Sequence, residues 1–192
     1  MTFSEMQSVP REMVIEPSNE ELIILFAQNF SIMQGRFIYC IDELDLVTKL
    51  TELKERRAWK KIFCREPILI NMLQQRDFRG LEFGKFAESR VIITGCKNLI
   101  ARSGSILMTS AQFGGRNTSV YMPLRICVAY TSQIVYDIYE RPNHIQKTKK
   151  ELQSLITLAD GTSSTVDIEE ALVMDIRGPQ EVFCFVVEDS SK

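Results

Sequence analysis

The sequence predicts an α/β protein with a mostly parallel central sheet covered by helices, on three observations. Short, almost wholly apolar runs recur along the chain, at Phe37–Ile41, Lys61–Cys64, the start of Val91–Ser110, and Val182–Val187. Such runs suit strands buried on both faces rather than strands with one wet side. Amphipathic segments with helical spacing alternate with them, the order expected of a parallel sheet with crossover helices. No internal repeat or low-complexity linker divides the 192 residues. A chain of this length fits one domain with a substantial core, assigned to residues 17–192 and preceded by an arm over 1–16 that shows no clear period.

Each element has a local reason. Ser18 and Glu21 form a capping-box pattern. Leu22, Ile23, Leu25, Phe26, Phe30 and Met33 follow at helical spacing, and Gly35 is a natural stop. After the Phe37–Ile41 strand, Leu46, Leu50 and Leu53 share one face of a second helix, whose Lys54-Glu55-Arg56-Arg57 run reads as its solvated side. Trp59 near its end reads as a packing residue. Lys61–Cys64 is a brief strand, and Pro67 suits the first turn of a helix running to about Gln75. Arg76–Gly84 reads as loop with room for a short strand. The stretch Val91–Ser110 reads as strand, helical Lys97–Arg102, glycine loop, and strand Ile106–Thr109. Ala111–Thr118 is a second glycine loop, and Val120–Val135 holds two strand-like pieces with Pro123 at a start or edge. A helix is expected around residues 144–158, with Ile145, Leu152, Leu155 and Ile156 inward. A short acidic helix at Asp167–Leu172 and the final strand Val182–Val187 complete the chain.

Composition excludes several classes. With 23 basic and 25 acidic residues the net charge is −2, which gives no electrostatic case for nucleic acid. No apolar run reaches the length of a membrane span, and the first residues carry neither a basic start nor an apolar signal core. A soluble, cytoplasmic protein is expected. The five cysteines are widely spaced with no C-x-x-C pair, which fits reduced core thiols rather than a disulfide frame or a metal cluster. Cys96 differs by lying in a Thr94-Gly95-Cys96 turn, where a reactive thiol and a core thiol are both readings; no nearby histidine would activate it. The single histidine, His144, excludes a histidine-built metal site by count, and no cofactor is expected.

Two loops are candidate ligand contacts, because open parallel sheets bind ligands where loops gather at strand ends. The first is Arg102-Ser103-Gly104-Ser105, where a glycine permits close backbone approach and hydroxyls bond an anion or tie off the turn. The second is Gly161-Thr162-Ser163-Ser164-Thr165, leading directly into Asp167-Ile168-Glu169. Hydroxyls ahead of a helix cradle a phosphate or carboxylate, or Ser164 or Thr165 is simply its N-cap. Asp160, Asp167 and Glu169 are candidate general bases, although first-turn acidic residues are also what a helix dipole favours. Arg116, Arg125 and Arg177 stand in or beside loops and would clamp a carboxylate or phosphate if they converge.

Three blocks in order resemble the LUD domain family of lactate-utilisation proteins, especially the small LutC type. Ile93-Thr94-Gly95-Cys96-Lys97-Asn98-Leu99-Ile100-Ala101-Arg102-Ser103-Gly104-Ser105 resembles the family's ITGAD-x-x-IA-[DE]-TG-[ST]. Arg116, Ser119 and Tyr121-Met122-Pro123-Leu124-Arg125-Ile126 resemble an Arg, a Ser and LLP-x-x-HI. Gly161–Glu169 and Asp175-Ile176-Arg177-Gly178-Pro179 resemble GPSRTADIE and GVHGP. The resemblance implies a three-layer α/β/α sandwich of the NagB/RpiA/CoA-transferase-like group. It implies a role in oxidation of L-lactate to pyruvate beside partner subunits that carry iron–sulfur clusters.

This chain departs from the pattern at its titratable positions. Arg102 replaces the loop acid, Ser164 replaces an arginine, and Arg125 and Arg177 stand where the family has histidines. An arginine does not shuttle protons at neutral pH. The favoured reading is therefore a subunit that binds a small anionic ligand through Arg102, Arg116, Arg125 and Arg177, compatible with a homo-oligomer. The alternatives are a stand-alone enzyme of sugar-phosphate-isomerase or CoA-transferase type using Asp160, Asp167 or Glu169, and a regulatory or structural oligomer with a dead site.

Overall fold

The structure, a computed structural model, describes residues 17–83, 90–108, 123–137, 157–159 and 181–189. Helix α1 (Asn19–Ile32) starts as its sequence dictates: the Glu21 amide donates to Ser18 Oγ at 3.3 Å, and the Ser18 amide donates to Glu21 Oε2 at 2.8 Å. Its end differs from expectation. The left-handed residue is Gln34, with φ 63°, not Gly35. Gly35 serves a different need, since a Cβ there would lie 2.4 Å from the buried Phe30 ring. Its amide donates to the Phe30 carbonyl at 2.9 Å.

The central sheet has six parallel strands: β1 (Arg36–Cys40), β2 (Ile62–Cys64), β3 (Leu81–Glu82), β4 (Val91–Gly95), β7 (Leu124–Tyr130) and β10 (Glu181–Val187). Their spatial order is β1-β10-β7-β4-β2-β3, and every pairing is parallel. The expectation that Phe37–Ile41 is buried on both faces is corrected. β1 is the outer strand of the order, so Phe37, Ile38 and Tyr39 remain partly exposed. Full burial belongs instead to the inner strands β7 and β10.

Side-chain alternation along the inner strands separates two cores. Ile126, Val128, Phe183 and Phe185 face helices α2 (Glu43–Arg56) and α3 (Pro67–Gln75), against Leu46, Leu50, Leu53, Leu69 and Leu73. Trp59 packs edge-on against Phe183, centroids 5.9 Å apart. Cys127, Ala129, Cys184 and Val186 face the other way, towards Leu22, Phe26 and Phe30 of α1. Helices on both faces of a parallel sheet make this an α/β fold, as the apolar runs predict.

The second face holds a feature that periodicity does not show. Strands β5 (Asn98–Ile100), β6 (Ser105–Met108), β8 (Ile134–Val135) and β9 (Thr157–Ala159) form a small sheet in the order β8-β5-β6-β9. The helix expected over Lys97–Arg102 is therefore replaced by a strand and a turn. Antiparallel pairing of Leu99 with Ile106 and of Ile100 with Ser105 satisfies the backbone that a helix of only six residues would leave largely unbonded. The helix expected around 144–158 cannot include Thr157 and Leu158, which pair with Met108 and Leu107; residues 144–156 lie outside the described ones, as does the acidic helix Asp167–Leu172.

The turn that joins β5 to β6 is seated on α1. Asn29 Nδ2 donates to the carbonyls of Ala101 at 2.8 Å and Arg102 at 3.1 Å. Gly104 has φ 72°, and a Cβ there would meet the backbone of Asn29 and Phe30 at 2.6 Å. Helix and turn are thus in backbone contact, which only glycine permits. Gly104→Ala is expected to cost about 2 kcal/mol or more through left-handed strain plus that clash. Urea denaturation measures it, and a loss below about 0.5 kcal/mol would mean the contact relaxes freely.

Candidate functional site

Because the six strands are parallel, Cys40, Cys64, Gly95, Tyr130 and Val187 all end on one edge of the sheet. On that edge Glu66, two residues past β2, occupies the N-cap position of α3 without capping it. Its carboxylate turns towards β4 instead, and the Gly95 amide donates to Glu66 Oε1 at 2.8 Å. Burial raises the Glu66 pKa to about 7, against a smaller lowering by the Gly95 hydrogen bond. Near neutrality this carboxyl divides between its acid and its anion, so it can either donate or accept a proton. One residue before Gly95, the Thr94 hydroxyl is buried with no hydrogen-bond partner among the described residues.

The rest of this rim is tied together by side chains. Gln133, in a short 3₁₀ turn at Thr131–Gln133, accepts from the Tyr130 amide at 2.7 Å through Oε1. Its Nε2 donates to the Cys96 carbonyl at 2.8 Å and the Lys97 carbonyl at 3.3 Å. The Gly95-Cys96-Lys97 turn is thereby held beside the end of β7. Tyr130 Oη donates to Glu43 Oε1 at 2.6 Å, and Glu43 is also ion-paired with Arg76. Burial and the Glu43 carboxylate push the Tyr130 phenol well above its ordinary range, so it stays a proton donor. Asp189 accepts from the Ser132 amide at 2.9 Å and from the hydroxyls of Thr131 and Ser132. Burial would raise its pKa, but those bonds together outweigh it and hold the carboxyl below its usual value.

The residues singled out from the sequence fall in three places. In the first loop, Arg102 Nη2 is 2.9 Å from Asp137 Oδ2, with the arginine side chain 61% exposed. Ser103 Oγ donates to Ser105 Oγ at 2.8 Å, and Gly104 lies on α1. The close approach that glycine allows is here an approach to the helix backbone. Arg125, the second residue of β7, is buried on the α1 side of the sheet, with Nη1 3.5 Å from Met108 Sδ. Desolvation pulls its pKa down from the usual guanidinium value. Asp160, Gly161, Ser163, Ser164, Thr165, Asp167, Glu169, Arg116 and Arg177 lie outside the described residues.

All five cysteines are buried and free. Burial pushes the Cys40 and Cys64 thiols up to about 11. Cys96 is likewise raised, through its bond to Cys127 and its own burial, so the core-thiol reading holds. Glu66 was not reached by sequence reasoning. Its signal was an acidic residue directly before a helix-starting proline, which reads as ordinary helix punctuation.

The model of the LUD domain family matches residues 26–187, most of the chain. The chain belongs to the LUD domain family. It is 29% identical over 121 residues to lactate utilization protein C of Deinococcus radiodurans, covering 62% of this chain and 57% of that protein. It is 29% identical over 123 residues to lactate utilization protein C of Shouchella clausii, covering 62% and 53% respectively. The alignment thus spans little more than half the length of these curated relatives. A crystal structure of a DUF162 family protein from Deinococcus radiodurans superposes with a TM-score of 0.66 at 18% identity, covering 89% of this chain and 99% of that one. That likeness supports the α/β architecture. No helix among the described residues is long and apolar enough to cross a membrane.

The Glu66 pKa makes a pH prediction with a definite sign. A carboxyl whose folded pKa is raised from 4.5 to about 7 stabilises the fold fully below pH 4.5, and that contribution is lost as pH rises through 7. Relative to Glu66→Gln, the parent chain is therefore expected to lose on the order of 2–3 kcal/mol between about pH 4.5 and pH 8. Paired denaturant titrations across that window measure it; parallel pH profiles for the two chains would contradict the assignment.

Proposed function

We propose that this LUD domain chain acts in the cytoplasm as a subunit of lactate or related organic-acid utilisation. In this reading it binds a small carboxylate or phosphate and supports oxidation of L-lactate to pyruvate beside iron–sulfur partner subunits. The observation that carries the reading is the family match over residues 26–187, with relatives named lactate utilization protein C. Arg102, Arg116, Arg125 and Arg177 are the proposed anion donors, with Ser103, Gly104, Ser105, Gly161, Ser163, Ser164 and Thr165 shaping the loops. Arg102 suits that part because its ion pair to Asp137 engages one guanidinium nitrogen of a largely exposed side chain.

Purified chain mixed with its iron–sulfur partners is expected to oxidise lactate, and the chain alone is not. Turnover of lactate by the isolated chain would overturn the subunit reading. Arg102→Ala should cost less than about 1 kcal/mol of stability, since the Asp137 pair is exposed. Calorimetry with pyruvate and L-lactate should show binding weakened by roughly tenfold in that variant. Unchanged affinity would remove Arg102 from the site.

One observation favours a second reading, a stand-alone enzyme of the isomerase or CoA-transferase type. Glu66, a carboxyl poised near neutrality at the carboxyl edge of the sheet, has the pKa of a general acid–base group. Under that reading Glu66→Gln abolishes turnover of a sugar phosphate or CoA ester, whereas Asp167→Asn and Glu169→Gln test the acidic pair of the second loop.

A further inference from the structure

The opposite edge of the sheet, where the strands begin, holds a cavity of about 530 Å³ whose lining includes Gln34, Arg36, Arg57, Trp59, Arg90 and Glu181. Arg36 Nε lies 2.6 Å and Arg57 Nη2 2.7 Å from the same oxygen, Glu181 Oε1. Both guanidinium groups also sit over the Phe183 ring, 5.8 Å and 5.7 Å from its centroid. Stacking and ion pairing together fix two planar forks before any ligand arrives, which lowers the ordering cost of binding. Among the described residues, three arginines stand against one carboxylate around the cavity. Packing on Phe183 explains Arg36 and Arg57 but not Arg90, which has no ion-pair partner among the described residues. The Arg36 and Arg57 side chains are 58% and 37% exposed, so solutes reach them.

We propose that this cavity is a second binding site, for a small dianion bearing phosphate or paired carboxylate groups, separate from the carboxyl edge and from the Arg102 turn. The forks of Arg36 and Arg57 take the oxyanion from the Phe183 side, and Arg90 closes on it from the first residues before β4. Glu181 is the positioning residue: by drawing both guanidinium groups to one oxygen it sets their spacing and leaves their remaining N–H donors for the ligand.

Calorimetry at constant ionic strength on the Arg102→Ala chain, in which the anion contact proposed for the other loop is removed, tests this with inorganic phosphate, malonate and, as a singly charged control, acetate. Phosphate or malonate is expected to bind while acetate does not, and the tighter of the two names the ligand class. Arg90→Ala should weaken that binding by roughly tenfold, and Arg57→Lys, which keeps the charge but loses the planar fork, should weaken it too. Because Arg102 is already removed, binding in this background separates this site from the anion contact proposed for the other loop. Arg90→Ala makes the decisive variant because, among the described residues, the ion pairs to Glu181 and the cation–ring contacts with Phe183 belong to Arg36 and Arg57 and stay in place. In the Arg102→Ala background, absence of binding by both dianions, equal binding of acetate, or indifference to Arg90→Ala would each overturn the assignment.

Discussion

The insertion of β10 between β1 and β7 is the pairing on which everything else rests. Its residues hydrogen-bond on one side to the first strand and on the other to the strand at the middle of the sheet, Phe185 lying level with both Ile38 and Val128. Six of its seven residues supply both cores, Phe183, Phe185 and Val187 on one face and Val182, Cys184 and Val186 on the other. Full burial of each large side chain contributes roughly 1.5–3 kcal/mol, so this strand, with β7 beside it, ties the two helical layers to one sheet. Past its end, the Glu188 amide donates to the Cys40 carbonyl at 2.8 Å, and Asp189 takes the hydroxyls of Thr131 and Ser132. A sheet closed in this way by residues distant in sequence is a high-contact-order arrangement, which implies slow folding relative to a helical protein of this size.

Parallel closure also decides where chemistry can sit. All strand ends meet on one rim, and the fixed Gly95-Cys96-Lys97 turn brings a backbone donor to the buried Glu66 carboxyl. That rim is rich in carboxylates: Glu43 and Asp189 are each held by hydroxyl, amide or guanidinium partners, while Glu66 has one amide. The opposite edge has the reverse polarity, with arginines grouped around Glu181. One sheet thus separates a proton-holding edge from a cationic one. The first suits proton transfer or a protonated hydrogen-bond donor, and the second suits an anion.

Local features were legible in the sequence and nonlocal ones were not. The capping box at Ser18, the Pro67 start of α3, the buried face of Leu46, Leu50 and Leu53, and the buried cysteines follow from side-chain chemistry within a few residues. The strand order does not, because an apolar run states that it is buried and never beside what. The β5–β6 hairpin escaped for the same reason: Lys97–Arg102 has helix-compatible residues, and only pairing across the turn favours a strand. Gly104 shows the limit most clearly. Its lack of a side chain announces a close approach, and its neighbours prove to be Asn29 and Phe30 of α1. Glu66 was hidden by position, since its carboxyl reaches Gly95 across 29 residues of sequence.

The chain belongs to the LUD domain family, and the geometry singles out one group whose protonation would matter to any role on that edge. If the carboxyl rim is the working edge of the domain, Glu66 is, among the described residues, the carboxyl with a proton to exchange near neutral pH. The most direct measurement is a carboxyl-carbon NMR titration of the folded chain, with Glu66→Gln identifying the resonance. A midpoint near pH 7 for that resonance is the result this account requires. A midpoint near 4.5, the ordinary glutamate value, would contradict it and leave the carboxyl edge without its titrating group.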